Sequence, residues 1–202
     1  MEPKIIFEDK FILVIDKQKE TAHMRINVLG KQNIQNLLGA MLVARELGMS
    51  FKEIATAAKK IKQEQAGITL KKGVHSIKII DSSYSSNPDG VMADLAYLDV
   101  FKGKKVVVMP CLIELGKDSA KVHKEIGRKI AEVADLAIIT TKDQFKELRR
   151  GAIEYGMKEN TIFFSQKPKD IFHIITTHCK EGDAVLLEGR VPGELVKLLV
   201  KK

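Results

Sequence analysis

From residue 74 onward the chain alternates two kinds of segment, and this alternation restricts the possible fold more than any other feature. Apolar stretches at 74–80, 104–109, 135–141, 161–165 and 183–188 are separated by segments of helical periodicity near 88–101, 119–133, 142–155, 168–178 and 193–200. Strands that are apolar along their whole length have no face to offer to water, so they must be covered on both sides. Strands of this kind alternating with helices specify a mostly parallel, Rossmann-like α/β sheet with helices on both faces. In such a sheet the loops leaving the carboxyl ends of the strands gather along one edge, where ligands bind.

Upstream the pattern is different. Short strands are predicted at Ile5 to Phe7, Phe11 to Ile15 and His23 to Val28, ending at Gly30. A helix follows on Ile34, Leu37, Leu38 and Met41 and stops near Gly48. A second begins at Ser50, where Glu53 completes a capping box, and Ile54, Ala57, Ala58 and Ile61 give it one apolar face. The stretch KQEQAGITLKK at 63–73 breaks the periodicity. The expected organisation is therefore a first domain over 1–65, a linker over 66–73 and a second domain over 74–202.

Composition excludes several classes. The hydrophobic content of 45% supports a sizeable core, no apolar run approaches a membrane span, and the opening MEPKIIFEDK lacks the apolar region of a signal peptide, so a cytoplasmic protein is expected. Two cysteines, Cys111 and Cys179, make no disulfide framework. The net charge of +8 comes from lysines dispersed among glutamates, which reads as solvated helix faces rather than a nucleic-acid stripe. His173, His178 and Cys179 match no zinc spacing, and no metal site is expected.

Three strand-to-helix loops carry the chemistry: DSSYSSNP, PCLIELGKDS and EGRVPG. In the first, Asn87 and Pro88 suit the N-cap and first position of a helix whose apolar face is Val91, Leu95 and Leu98. Its hydroxyls have two readings, a ligand surface and a turn that satisfies its own backbone. In the second loop's helix, His123 is placed to hydrogen-bond back to the loop as a brace. In the third, the planar fork of Arg190 suits a carboxylate or a phosphate, against the alternative of a plain surface arginine.

The ordered set GKQNIQN at 30–36, DSSYSSNPDG at 81–90, PCLIELG at 110–116 with VHKEIG at 122–127, and LLEGRVP at 186–192 resembles the Mur ligases. The resemblance is greatest to those that add D-alanyl-D-alanine to UDP-N-acetylmuramoyl-tripeptide. The family patterns are approximately G-x-H-N-x-x-N, D-D-S-Y-N-A-N-P, G-D-M-x-E-L-G with H-x-x-I-G, and K-G-S-R. The resemblance implies that 1–65 is the β/α tail of a central ATPase domain and 74–202 the C-terminal Rossmann-like domain. It implies an ATP-dependent amide ligation that uses ATP and Mg2+ in the complete enzyme, a UDP-N-acetylmuramoyl-peptide, and D-alanyl-D-alanine or an amino acid. Asn36 is expected beside the adenine with Asn33 in support; Asp81, Ser82, Tyr84 and Asn87 are expected on the nucleoside side. Glu114, His123 and Arg190 are expected on the acceptor side.

The pattern has departures. Ser82 replaces the second acid of D-D-S-Y, Gln32 the histidine, Pro110 and Cys111 the Gly-Asp pair, Glu188 and Arg190 the Lys and Ser of K-G-S-R, and Ile68 stands where a linker arginine is expected. No G-x-x-x-x-G-K-[ST] occurs: the pairs at Gly30, Gly103 and Gly116 lack the upstream glycine and the following hydroxyl. The isolated chain is thus expected to be inactive and to hold neither ATP nor Mg2+ tightly, the N-terminal and P-loop domains acting in cis or in trans. The alternatives are a non-catalytic Mur-ligase-like binding or regulatory module and a fragment of a folylpolyglutamate-synthase-like ligase.

Overall fold

The structure, a computed structural model, describes residues 11–17, 20–26, 31–61 and 68–200. It divides into two compact units, residues 1–65 and 66–202.

In the first unit, strands β1 (Phe11–Lys17) and β2 (Glu20–Ile26) pair antiparallel and are followed by helices α1 (Lys31–Glu46) and α2 (Phe51–Ala58). Ile34, Leu37 and Met41 recur at three- and four-residue intervals, which puts them on one stripe of α1, packed with Ile54 and Ala58 of α2. The capping box forms as the sequence predicts: the Glu53 N–H donates to Ser50 Oγ at 3.3 Å, and the Ser50 N–H donates to Glu53 Oε2 at 2.8 Å. The strand expected at Ile5 to Phe7 lies outside the described residues.

The second unit holds strands β3 (Thr69–Lys72), β4 (Lys78–Ser82), β5 (Lys105–Met109), β6 (Leu136–Ile139), β7 (Ile162–Phe164) and β8 (Ala184–Glu188). Its helices are α3 (Pro88–Leu98), α4 (Ser119–Val133), α5 (Phe145–Glu154), α6 (Pro168–His178) and α7 (Gly193–Leu199). The strands form one sheet in the order β3-β4-β8-β5-β6-β7, parallel throughout except for β3. Ile79, Val108, Ile138 and Leu187 face α6 and α7, packing against Ile171, Ile175, Leu195 and Leu199. The alternate residues Ile80, Val107, Ala137, Ile139 and Leu186, all buried, face the other way. Right-handed crossovers between parallel strands place α3, α4 and α5 on that second face, since those three connections advance across the sheet in one direction and the connection through α6 returns.

Two expectations are corrected at the start of this unit. Residues 69–72, read as linker, form the antiparallel edge strand β3, with Leu70 opposite Ile80 and Lys71 opposite Ile79. Its lysines conceal it in the sequence, because an edge strand needs only one buried side and tolerates charge on the other. The strand expected from residue 74 starts only at Lys78, because 74–76 form a tight turn with His75 at φ 50° and Ser76 at φ 59°. Positive φ at both central residues is the primed hairpin geometry that matches strand twist.

On the helical layer, α4 and α5 cross backbone to backbone. A Cβ on Gly127 would lie 2.0 Å from the Leu148 carbonyl oxygen, and one on Gly151 would lie 2.1 Å from that of Lys124. At the opposite end of the sheet from the loops, Asp183 accepts the Lys104 and Lys180 N–H groups, each at 2.8 Å, which ties the entries of β5 and β8 together.

Candidate functional site

The strand order brings the three loops together. Neighbouring strands β4, β8 and β5 end along one edge and deliver loops 83–87, 189–192 and 110–118. β4 and β5 lead to helices on one face and β8 leads to α7 on the other, so the chain diverges on both sides of β8, the topological position at which open sheets form a crevice. The loops touch at Gly189, which sits at φ 65° and donates its N–H to the Ser82 carbonyl at 3.0 Å. A Cβ there would lie 2.6 Å from Ser86 Oγ and 3.3 Å from Pro110 Cγ, so the close approach as well as the φ requires glycine.

The first loop largely satisfies itself. Asp81 pairs with Lys71 Nζ at 2.5 Å and accepts the Ser83 N–H at 3.1 Å and the Ser83 hydroxyl at 2.5 Å. Burial works to raise the Asp81 pKa, but the hydrogen bonds from Lys71 and Ser83 together hold the carboxyl below its usual range. Ser82 turns inward and donates to Asp94 Oδ2 at 2.5 Å. Asn87 caps α3 by accepting the Gly90 N–H at 2.9 Å. Tyr84, 72% exposed, Ser85 and the capping residue Asn87 are the residues this loop presents to solvent.

The second loop hangs on buried donors and acceptors. The Cys111 N–H donates to Thr141 Oγ1 at 2.8 Å, and the Leu112 N–H donates to His123 Nε2 at 2.9 Å. A ring nitrogen that accepts carries no proton, so the His123 proton is on Nδ1, which meets the Ser119 carbonyl at 2.7 Å. His123 is fully buried and braces the loop. Glu114 is exposed at the tip, held at φ 64°, with Gly116 at φ 53°.

In the third loop Arg190 is exposed, while Glu188 at the strand end is only 1% exposed. Burial, reinforced by the neighbouring Asp94 carboxylate, pushes the Glu188 pKa up to about 9. Sequence reading overlooked Asp94. The signal was present in the spacing, since Val91, Asp94, Leu95 and Leu98 recur at three- and four-residue intervals and all four are buried.

The remaining candidates lie elsewhere. Asn33 and Asn36 belong to α1 of the first unit; Asn36 is exposed, and the Asn33 side chain falls outside the described residues. His178 Nδ1 is engaged with the Ile174 carbonyl at 2.8 Å, and Cys179 packs into the core beneath α6 and α7.

Most of the second unit matches a known family description: "Mur ligase, glutamate ligase domain" fits residues 68–191, more than half of the chain. The chain belongs to the Mur ligases. Among the relatives of this Mur ligase chain, the UDP-N-acetylmuramoyl-tripeptide--D-alanyl-D-alanine ligase of Bacillus subtilis is 24% identical over 181 residues, which cover 87% of this chain and 39% of that protein. The crystal structure of the Thermotoga maritima MurF ligase in complex with ADP superposes with a TM-score of 0.78 at 20% identity, covering 96% of this chain and 44% of that one. MurF from Acinetobacter baumannii gives 0.79 at 21% identity, covering 97% and 44%. The Mur ligase chain described here therefore spans about two fifths of the length of these proteins.

Proposed function

We propose that this Mur ligase chain is the C-terminal portion of a cytoplasmic, ATP-dependent amide ligase of peptidoglycan-precursor synthesis, joining D-alanyl-D-alanine or an amino acid to a UDP-N-acetylmuramoyl-peptide. The observation that carries this reading is the convergence of the three motif-bearing loops, which carry Asn87, Glu114 and Arg190, on one edge of the parallel sheet.

In the complete enzyme ATP would activate a carboxylate for attack by an amine, with Mg2+ neutralising phosphate charge. The residues present fit the nucleoside part of ATP and not its phosphate–metal part. Tyr84 and Ser85 offer an exposed ring and hydroxyl, whereas Asp81 is engaged by Lys71 and Ser83, and Asp94 by Ser82. Tyr84 and Ser85 would orient the nucleoside. Glu114 at the loop tip would hold the acceptor ammonium, and Arg190 would fork onto an acceptor carboxylate or a phosphate. His123 would act by keeping the Glu114 loop in place. Such chemistry depends on position and charge neutralisation, which suits a domain that supplies surfaces rather than the phosphate cradle.

The test is reconstitution. The chain, joined to or mixed with the N-terminal and P-loop domains of a matching ligase, is expected to give ADP release that requires both a UDP-N-acetylmuramoyl-tripeptide and D-alanyl-D-alanine, while the chain alone hydrolyses no ATP. Product with a single amino acid only would reassign the acceptor. Glutamate addition to a folate would favour the folylpolyglutamate-type ligase, and no product with any acceptor would favour the non-catalytic module.

A further inference from the structure

We infer that Asp94 and Glu188 share a single proton, and that this proton, with the Ser82 hydroxyl, fastens the end of β8 and the Arg190 loop to α3 and the serine loop. The inference rests on the geometry of the sheet edge and is independent of the ligase reading.

Ser82 and Glu188 are register partners at the ends of β4 and β8. Leu187 faces α6 and α7, so Glu188 turns to the opposite side, beneath α3, where Asp94 is 3% exposed and Glu188 is 1% exposed. Ser82, paired with Glu188 in register and bonded to Asp94, sets the two carboxyls side by side, and Asp94 acts on Glu188 through its charge and a hydrogen bond. Ionised carboxylates only accept, so a hydrogen bond between two of them requires a proton on one. Ser82 donates to Asp94 Oδ2, a bond that is stronger to a charged oxygen and so favours the proton on Glu188. Among the described residues no N–H or hydroxyl donor reaches the buried Glu188 Oε2, an arrangement that an uncharged acid tolerates better than a carboxylate.

Among the described residues no cation competes for the pair. β4 contributes the neutral Ser82, β5 ends in Met109 and Pro110, and Arg190 on the same loop is exposed; Asp94 is the charged group whose field bears on Glu188. Lys71 is committed to Asp81.

Glu188 keeps its proton when folded and loses it when unfolded above the ordinary carboxylate range. Unfolding above about pH 4.5 therefore releases a proton, and stability falls as pH rises toward about 9. The experiment compares the full chain with Glu188→Gln, whose amide keeps the hydrogen bond to Asp94 and has nothing to titrate. Tyr84, Tyr97 and Tyr155 all lie in the second unit, so tyrosine fluorescence during denaturant unfolding follows that unit. Between pH 5.5 and 8.5 the unfolding constant of the wild type is expected to rise, relative to Glu188→Gln, by up to about tenfold per pH unit, the signature of one proton. Infrared spectra at neutral pH are expected to show a protonated-carboxyl band in the wild type that Glu188→Gln lacks. Parallel pH profiles, or no such band in the wild type, overturn the inference. Should Glu188→Gln fail to fold, Asp94→Asn decides: it leaves Glu188 buried with an amide oxygen to donate to, and a folded variant without the band also overturns it.

Discussion

Replacing His123 with alanine isolates the brace beneath the second loop. The substitution leaves the buried Leu112 N–H without its acceptor and removes the ring donor from the Ser119 carbonyl. An orphaned buried N–H costs about 1–3 kcal/mol. The emptied ring volume, in a site with no exposure at all, adds about 1–2 kcal/mol more. The sum is about 3 kcal/mol. At about 2.1 cal/mol/K per residue, the unit over 66–202 has an unfolding entropy near 0.3 kcal/mol/K, so its melting temperature is expected to fall by on the order of 10 °C. Hydrogen exchange should place the loss: the Leu112 amide, protected in the wild type, is expected to exchange freely in the variant before the strands do. The His123→Gln variant offers an amide oxygen to the same N–H and is expected to restore at least half of the stability. A melting temperature within about 2 °C of wild type for His123→Ala, or a Leu112 amide already unprotected in the wild type, would refute the brace.

Ser82→Ala removes the donor to buried Asp94 and is expected to cost about 1.5–3 kcal/mol by urea titration; an unchanged titration with a raised KM for ATP in the reconstituted ligase would instead assign the hydroxyl to the nucleoside. Gly127→Ala gains about 1 kcal/mol in helix propensity, but its Cβ would collide with the Leu148 carbonyl, so a net loss of about 2 kcal/mol or more is expected, and a more stable variant would show that the helices separate freely. Cys179, whose thiol burial pushes up to about 11, is expected to resist iodoacetamide at pH 8 in the folded protein and to react only on unfolding; rapid native labelling would contradict its packing.

The sequence shows most clearly those elements whose boundaries carry their own chemistry. α4 and α6 begin and end where the periodicity places them, and the Ser50–Glu53 box forms as read. β3 escaped because Lys71 and Lys72 dominate a strand that needs only partial burial. Within the site, the cap at Asn87 and the brace at His123 were legible because each acts on its own loop. The inward turn of Ser82 was not, because its partner is decided by which helix covers β4 and β8, a property of strand order that no local stretch encodes. The same reason hid the link between Glu188 and Asp94, which are far apart in the chain and joined only by the sheet.

The crossing of α4 and α5 has a consequence for how such a domain can change over time. Elsewhere on these helices a side chain separates one backbone from the next, and a substitution can be absorbed by its neighbours. At Gly127 and Gly151 no side chain intervenes, and each glycine faces the carbonyl of the opposite helix. Neither position can drift alone, and enlarging one is not relieved by shrinking the other, because both are already minimal. Sequence change in this layer is therefore channelled to the outward faces of the two helices, and any relative that keeps this interhelical distance must retain the pair together.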